Sequence, residues 1–398
     1  MSRRGVSFIV PLGERNGATT ALLYFLRWFK ANGKRPFSIL VAHDGEIISE
    51  YGKLADTWAA DRSHWCPGGL RAQGLGALGL GRWVQSAERA DLRRFAGRCS
   101  PGLIYVNSVT TEGARLVEQL DLRIPVLMHV HSLEFFLHRE TGSALPRVLS
   151  QAKQFIACSD AVKENLIRRH GVMPDRIETI HAAIPVEEVR SKRTRAEILQ
   201  ELQLPDGALL VTACGNLYWG KGADLFVQLA RDVCRQCPNA YFAWIGPTHP
   251  EEVARFRHDL RLLGLEQRVR LTGTVRPTAD YLAATDVFVL TSREDAFPLV
   301  CLEAAALGKP IVCFGEAGGM PEFVEHDCGV IVAYLDVAAM SDGVICLLDS
   351  LECRLKMGEA ARRKVMLRHD ISVAAPRIMD IIERTAAADK ESPSRLAK

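Results

Sequence analysis

The sequence predicts an α/β protein made of two doubly wound domains, each a parallel sheet with alternating helices. Three observations predict it. Short apolar, β-branched runs recur along the chain, most of them followed by a glycine-bearing or polar turn and then a helix-like segment. One charged stretch, from Pro185 to Asp206, interrupts the series and divides it into two halves. The stretch from Thr291 to Glu325 shows the repeating unit most plainly, as strand, turn, helix, strand, turn, helix.

The composition agrees. A chain of 398 residues is long enough for two to three domains, and 48% apolar with 24% charged residues is ordinary for a soluble globular protein. A net charge of +3 does not favour a nucleic-acid partner, although a local basic face suits peripheral contact with an anionic membrane. Eleven cysteines lack framework spacing, and Cys158, Cys214 and Cys313 fall in expected strands, which points to buried thiols in a reducing compartment. Cys234 and Cys237 form a lone C-x-x-C with no second pair nearby, a weak signal for metal or redox chemistry. The apolar run Val6 to Val10 is too short for a signal sequence, and no run reaches the roughly 18 residues of a membrane span. A cytoplasmic protein is expected.

In chain order, Val6 to Val10 is the first strand, Pro11 to Gly17 a turn, and Ala18 to Lys30 a helix stopped by Asn32-Gly33. Gly13 and Gly17 in that turn suit close approach of a phosphate or substrate, but their spacing is not the dinucleotide fingerprint. The helix is rich in bulky residues, including Phe25, Trp28 and Phe29. It reads as a helix buried in a sheet layer or as a face dipping into a bilayer beside Arg27, Lys30, Lys34 and Arg35. Phe37 to Ala42 is the second strand. Residues 61 to 86, with six glycines among leucines and arginines, read as a long mobile loop or loose helical excursion and a candidate for acceptor contact.

Leu103 to Val106, Val126 to Val130, Phe155 to Ser159 and Ile177 to His181 complete the first set of strands. His129 and His131 lie two apart on a strand and point to the same side. A metal pair lacks a third ligand at a telling spacing, so His131 at the strand's carboxyl end reads as a hydrogen-bond partner to substrate. The expected domains are 1–186 and 187–370, with a C-terminal helix at about 371–390 packing back on the first. The second half carries strands near 208–214, 241–245, 269–272, 286–290, 311–314 and 330–332.

Its first turn, Cys214-Gly-Asn-Leu-Tyr-Trp-Gly-Lys-Gly222, places a lysine beside a helix N-terminus. Lys221 would supply a point charge and the turn its amide donors, good chemistry for a diphosphate. It is not a P-loop, because no Ser or Thr follows the lysine. In the Thr291 to Glu325 stretch, Asp295 in the turn and Glu303 in the helix are separated by seven residues. That is a little over two helical turns, so both can face one crevice. Glu303 sits among Leu302, Ala304, Ala305 and Ala306, where an unpaired carboxylate is costly and a ligand's hydroxyl pair would satisfy it; pairing with an arginine or a helix end is the bland alternative.

Taken together, these segments resemble the retaining GT-B glycosyltransferases, in particular glycosyltransferase family 4 (group 1). The resemblance covers nearly the whole chain and is weakest from about 50 to 100. It rests on the acid, seven residues, glutamate pattern followed by Gly318-Gly319, on GNLYWGKGADLFVQLA, on VHSLE and ACSDAVKENL, and on the early Gly13/Gly17 loop. It implies two Rossmann-like domains facing a central cleft. It also implies a donor site in which Glu303 binds ribose hydroxyls and Lys221 binds the diphosphate and stabilises the leaving group. Asp295, or the adjacent Glu294, would lie near the transferred sugar, with His131 approaching it. Gly17, Gly215, Asn216, Gly318, Gly319 and the segment Phe297, Pro298, Leu299 and Val300, through the amides around it, would line the donor. Gly13, Asn16 and Glu134 would lie on the acceptor side.

The chain departs from the family pattern where Asp295 replaces a common Glu and where Asn216 stands in place of a common Arg, removing one positive charge that Arg293 or Arg276 would have to replace. The resemblance implies a nucleotide-sugar donor, a glycan or lipid-linked acceptor, no cofactor, and a place in bacterial surface polysaccharide or lipopolysaccharide synthesis. Without a D-x-D motif, metal-independent transfer is expected. The competing readings are a GT-B synthase acting on a small soluble acceptor and a catalytically silent binding subunit.

Overall fold

A computed structural model describes residues 4–33, 35–60 and 81–387. The chain divides into two compact units, one running to His181 and resuming at Ile371, the other comprising Ala182–Asp370. The division falls a few residues before the 186/187 boundary read from the charged stretch. That stretch instead opens the second unit, with a short helix Arg195–Glu201 capped by Thr194.

The first unit holds β1 (Gly5–Leu12), β2 (Phe37–His43), β3 (Thr57–Ala59), β4 (Pro101–Asn107), β5 (Val126–Val130), β6 (Gln154–Ala157) and β7 (Ile177–Thr179). Among the described residues they form one parallel sheet in the order β3-β2-β1-β4-β5-β6-β7. The second unit holds β8 (Leu209–Cys214), β9 (Ala240–Ile245), β10 (Val269–Gly273), β11 (Val287–Leu290), β12 (Ile311–Phe314) and β13 (Gly329–Val332), again all parallel, in the order β10-β9-β8-β11-β12-β13. Each order reverses once, between β1 and β4 and between β8 and β11. At such a reversal the flanking helices lie on opposite faces of the sheet and leave a crevice at the carboxyl ends of the two strands.

Helix α1 (Gly17–Asn32) follows β1 and settles the two readings of its bulky residues. Phe25 and Phe29 are 2% and 1% exposed. Phe8 of β1 meets Phe25, Phe29, Phe37 and Tyr105 with ring centroids 5.0 to 6.2 Å apart. Phe29 therefore belongs to the core, and the bilayer-dipping face is corrected on that point: among the aromatics of α1 only Tyr24 and Trp28 are partly exposed. We expect Phe29→Ala to cost roughly 3–5 kcal/mol of stability, the usual size for an aromatic removed from a packed core. A chemical denaturation curve reads this directly, and a loss under about 1 kcal/mol would contradict it.

The segment read as irregular over 61 to 86 falls largely outside the described residues; from Gly81 the chain is helical, as α2 (Gly81–Gly97). The three-residue β3 escaped a periodicity reading because it is too short to show one. The C-terminal helix, Ile371–Ala387, packs on the first unit: Glu383 accepts from Arg35 Nε at 2.6 Å, and Arg384 reaches both oxygens of Glu178 at 2.8 Å. No helix among the described residues is long and apolar enough to cross a membrane.

Candidate functional site

In the second unit, the reversal between β8 and β11 brings three turns together through their backbones. Gly222 has φ +71°, and a Cβ there would lie 1.9 Å from the carbonyl oxygen of Thr291. Only glycine fits both the conformation and the approach. Thr291 Oγ1 donates to the Lys221 carbonyl at 3.0 Å, and the Arg293 amide donates to Gly220 at 2.9 Å. On the other side, the Asp295 amide donates to Ala317 at 2.8 Å and the Gly319 amide to Ala296 at 3.0 Å. The lysine turn, the acidic turn and the Gly318-Gly319 turn are thus one braced unit. We expect Gly222→Ala to destabilise by at least about 1–2 kcal/mol from its left-handed conformation alone, with further loss from the clash. Thermal unfolding checks this, and an unchanged Tm would refute the close approach.

Within this unit the Lys221 ammonium pairs directly with the Asp295 carboxylate, which Ser292 Oγ also approaches at 3.3 Å. Burial pulls the Lys221 pKa down, but Asp295 outweighs it and holds the value above that of a free lysine, so the group stays charged. Its aliphatic stem runs over Gly215, where a Cβ would stand 3.4 Å from Cε. Cys214 lies close to it, and burial pushes its thiol, like that of Cys313 on β12, up to about 12. The C-x-x-C pair is likewise thiol: burial raises Cys234 to about 11 and raises Cys237 as well.

The first unit also holds α3 (Glu134–Thr141), and three helices of the second unit, α4 (Ala223–Gln236), α5 (Leu299–Ala306) and α6 (Met320–Val324), follow these turns; Glu303 lies on α5. Its carboxylate has no hydrogen-bond or ion-pair partner among the described residues, and burial pushes its pKa up to about 7. Helix α5 starts after Pro298 with no capping side chain, so its first amides, from Leu299 and Val300, lack a side-chain partner. Phe297 faces inward and stacks on His369 at 5.3 Å, leaving its backbone rather than its ring for a ligand. Gly318 has φ +143° and Gly319 caps α6. Asn216 is exposed, and Glu294 is partly exposed beside the Asp295 ion pair.

Arg293 does not supply the charge missing at Asn216. It makes a bidentate pair with Asp224 at 2.8 Å for both bonds and lies 4.8 Å from the Trp219 ring centroid. Its guanidinium braces the lysine turn from outside. Asp224 was not singled out from sequence; an acid in the first turn of a helix is common, because it suits the N-terminal end of the helix dipole. Arg276 is exposed.

In the first unit, the reversal between β1 and β4 gathers the other candidates. His131 follows β5 with Nε2 3.0 Å from Asn107 Oδ1, and burial lowers its pKa to about 4. The His129 ring lies 4.0 Å from it, so the two histidines do share a side, and His129 Nδ1 is 2.6 Å from the Tyr105 hydroxyl. Gly17 opens α1, and a Cβ there would meet nothing within 4 Å. Gly13, in contrast, is pressed against Gly45, whose amide would be 2.7 Å from its Cβ. Asn16 forms a capping box with Thr19. Glu134 accepts from His138 at 3.0 Å and from His170 at 2.8 Å, bonds that hold its carboxyl low against the opposing effect of burial. Asn107 and Tyr105 were not singled out in the sequence, which places Tyr105 inside the strand Leu103 to Val106 and Asn107 just after it.

Two Rossmann-like units with phosphate-compatible turns at their switch points define the class: the fold is that of the GT-B glycosyltransferases. Residues 15–188 match the family described as Glycosyltransferase Family 4, and residues 208–350 match Glycosyl transferases group 1. The chain belongs to this family. It is similar to HepE from Anabaena, solved in complex with UDP, with a TM-score of 0.77 and 19% identity over 96% of this chain and 100% of that one. It is 29% identical over 208 residues to a D-inositol 3-phosphate glycosyltransferase of Corynebacterium glutamicum, covering 50% of this chain and 49% of that protein. It is 30% identical over 198 residues to an N-acetyl-alpha-D-glucosaminyl L-malate synthase of Bacillus anthracis, covering 49% of this chain and 50% of that protein. The chain thus spans about half the length of these curated relatives.

Proposed function

We propose that this protein transfers a sugar from a nucleoside-diphosphate sugar to a hydroxyl of a glycan or lipid-linked acceptor, with retention and without a resident metal or cofactor. The observation that carries the reading is the unpartnered Glu303 carboxylate on the same braced unit as the Lys221–Asp295 pair. Glu303 is half-buried, and its carboxylate, which no group of the fold partners among the described residues, favours an O–H donor, of which a ribose diol offers two. Lys221 and the uncapped start of α5 suit the diphosphate, where charge develops as the glycosyl bond breaks. Asp295 would then exchange its lysine for hydroxyls of the transferred sugar. Retention and a role in surface polysaccharide assembly, on the cytoplasmic side of the membrane, rest on the family resemblance.

Thermal unfolding with UDP, GDP, ADP, dTDP and CMP, with and without EDTA, tests this. A nucleotide at about a hundred times its Kd stabilises by roughly 2.7 kcal/mol. One nucleotide should stand out and be indifferent to EDTA; no shift from any would favour a silent binding subunit, and loss of the shift in EDTA would overturn metal independence. A second reading, transfer to a small soluble acceptor, is favoured by the inositol-phosphate and malate acceptors in the relatives' names. Product partitioning between water and butanol separates the two.

A further inference from the structure

Lys221 closes a single 3-10 turn, Trp219–Lys221, whose own bonds run from the Lys221 amide to Tyr218 at 3.1 Å and from the Gly222 amide to Trp219 at 2.9 Å. One such turn is weak support for a flexible four-carbon stem, because its hydrogen bonds are poorly aligned. The hold comes from the segment after β11. The carbonyls of Trp219, Gly220 and Lys221 accept in turn from Arg293 Nη1 at 2.8 Å, the Arg293 amide at 2.9 Å and Thr291 Oγ1 at 3.0 Å. The same Nη1 and its neighbour Nη2 grip both oxygens of Asp224 in the first turn of α4, each at 2.8 Å. From beyond β13, the Tyr334 hydroxyl donates to the Arg293 carbonyl at 3.1 Å. The Arg293 side chain is 13% exposed, and three of its five N–H groups are spent on these partners. A planar fork can hold a carboxylate with two bonds and still give a third to a carbonyl; a lysine offers no such fork.

We propose that Arg293 and Asp224 are positioning residues: anchored by the carboxylate, the guanidinium fixes the turn so that the Lys221 ammonium stands where a leaving diphosphate gathers charge. That destination rests on the proposed function; the clamp does not. The pair acts on the reaction through Lys221 alone. A charge displaced by about 1 Å loses more against the transition state than against the ground state, which has other holds on it. Loss of the clamp should therefore lower kcat and leave KM nearly unchanged, since Glu303 and the first amides of α5 would still hold the nucleotide.

Hydrogen exchange of the full chain, followed by mass spectrometry over residues 216–224, tests the clamp. In Arg293→Ala we expect the segment carrying the Lys221 and Gly222 amides to exchange at least about tenfold faster, as when a hydrogen bond to a charged group is lost, with β8 and β12 keeping the parent rates. Parent-like exchange in that turn overturns the proposal. Asp224→Ala keeps the carbonyl bonds and should loosen the same turn to a smaller extent; if Arg293→Ala does not fold, this variant decides in its place. Turnover is then measured with the nucleotide sugar whose parent nucleotide gives the largest thermal shift. Arg293→Ala should lower kcat by about 10- to 100-fold and leave KM nearly unchanged. In a Lys221→Ala background the same substitution should cost nothing further, because a positioning residue then has nothing to position. An unchanged kcat, or an equal loss in both backgrounds, overturns the role. If the parent protein turns over no nucleotide sugar, the proposed function fails and the exchange result alone decides the clamp.

Discussion

Lys221→Ala should lower transfer by about two to three orders of magnitude while leaving the protein folded, the usual loss when one donor to a developing anion is removed. The expectation rests on position. Lys221 is the cation that the braced turns aim at Asp295, and Arg293, the nearest alternative, is committed to Asp224. Removing the lysine also strands the Asp295 carboxylate without its partner, so the variant should lose some stability as well. Asp295→Asn tests the other half of the pair: it frees Lys221, and nucleoside diphosphate should bind at least as tightly while turnover falls. Near-normal turnover by a folded Lys221→Ala protein, measured as release of nucleoside diphosphate, would refute the leaving-group role.

Glu303→Gln should separate stability from ligand binding in opposite directions. Burial raises the carboxyl from about 4.5 to about 7, so the folded state keeps a proton that the unfolded state gives up between those values. Stability falls as pH rises through that window and stays low above it. The neutral glutamine has no such slope. At pH 8 the free variant should be more stable than the parent, by at most about 3 kcal/mol for a shift of that size, and near pH 4.5 the two should converge. Nucleotide binding should weaken by roughly 10- to 100-fold as charged hydrogen bonds to hydroxyls become neutral ones. Urea titrations at the two pH values, with and without nucleotide, read all four states. A variant less stable than the parent at pH 8 would show that Glu303 is already satisfied in the free protein.

Much of this was legible in the sequence because buried parallel strands are nearly uninterrupted apolar runs. Ile311 to Phe314 stands between a helix stop and a glycine turn, and the strand occupies those same four residues. Glu303 was visible as a charge among apolar residues, where charge is expensive, Lys221 as a lysine in a glycine turn beside a helix start, and Asp295 by its spacing from Glu303. What escaped was the set of partners. Asp224 and Asn107 are ordinary polar residues at a helix start and a strand end, and their roles come from what stands 69 and 24 residues away. Phe29 shows the reverse difficulty: a bulky residue on an amphipathic helix looks the same in sequence whether it meets a bilayer or another phenylalanine.

The switch point of the second sheet also bears on how the protein acquires its site. Lys221 and Asp295 are 74 residues apart, and between them lie β9, β10 and the crossovers that return the chain to pair β11 with β8. The ion pair can form only after that long-range parallel pairing is complete, the slowest kind of contact for a chain to close. Neither turn carries a half-formed pocket while the chain is still being made. The proposed nucleotide site would thus arrive in one step with the finished domain, and a nascent chain released short of β11 would lack it.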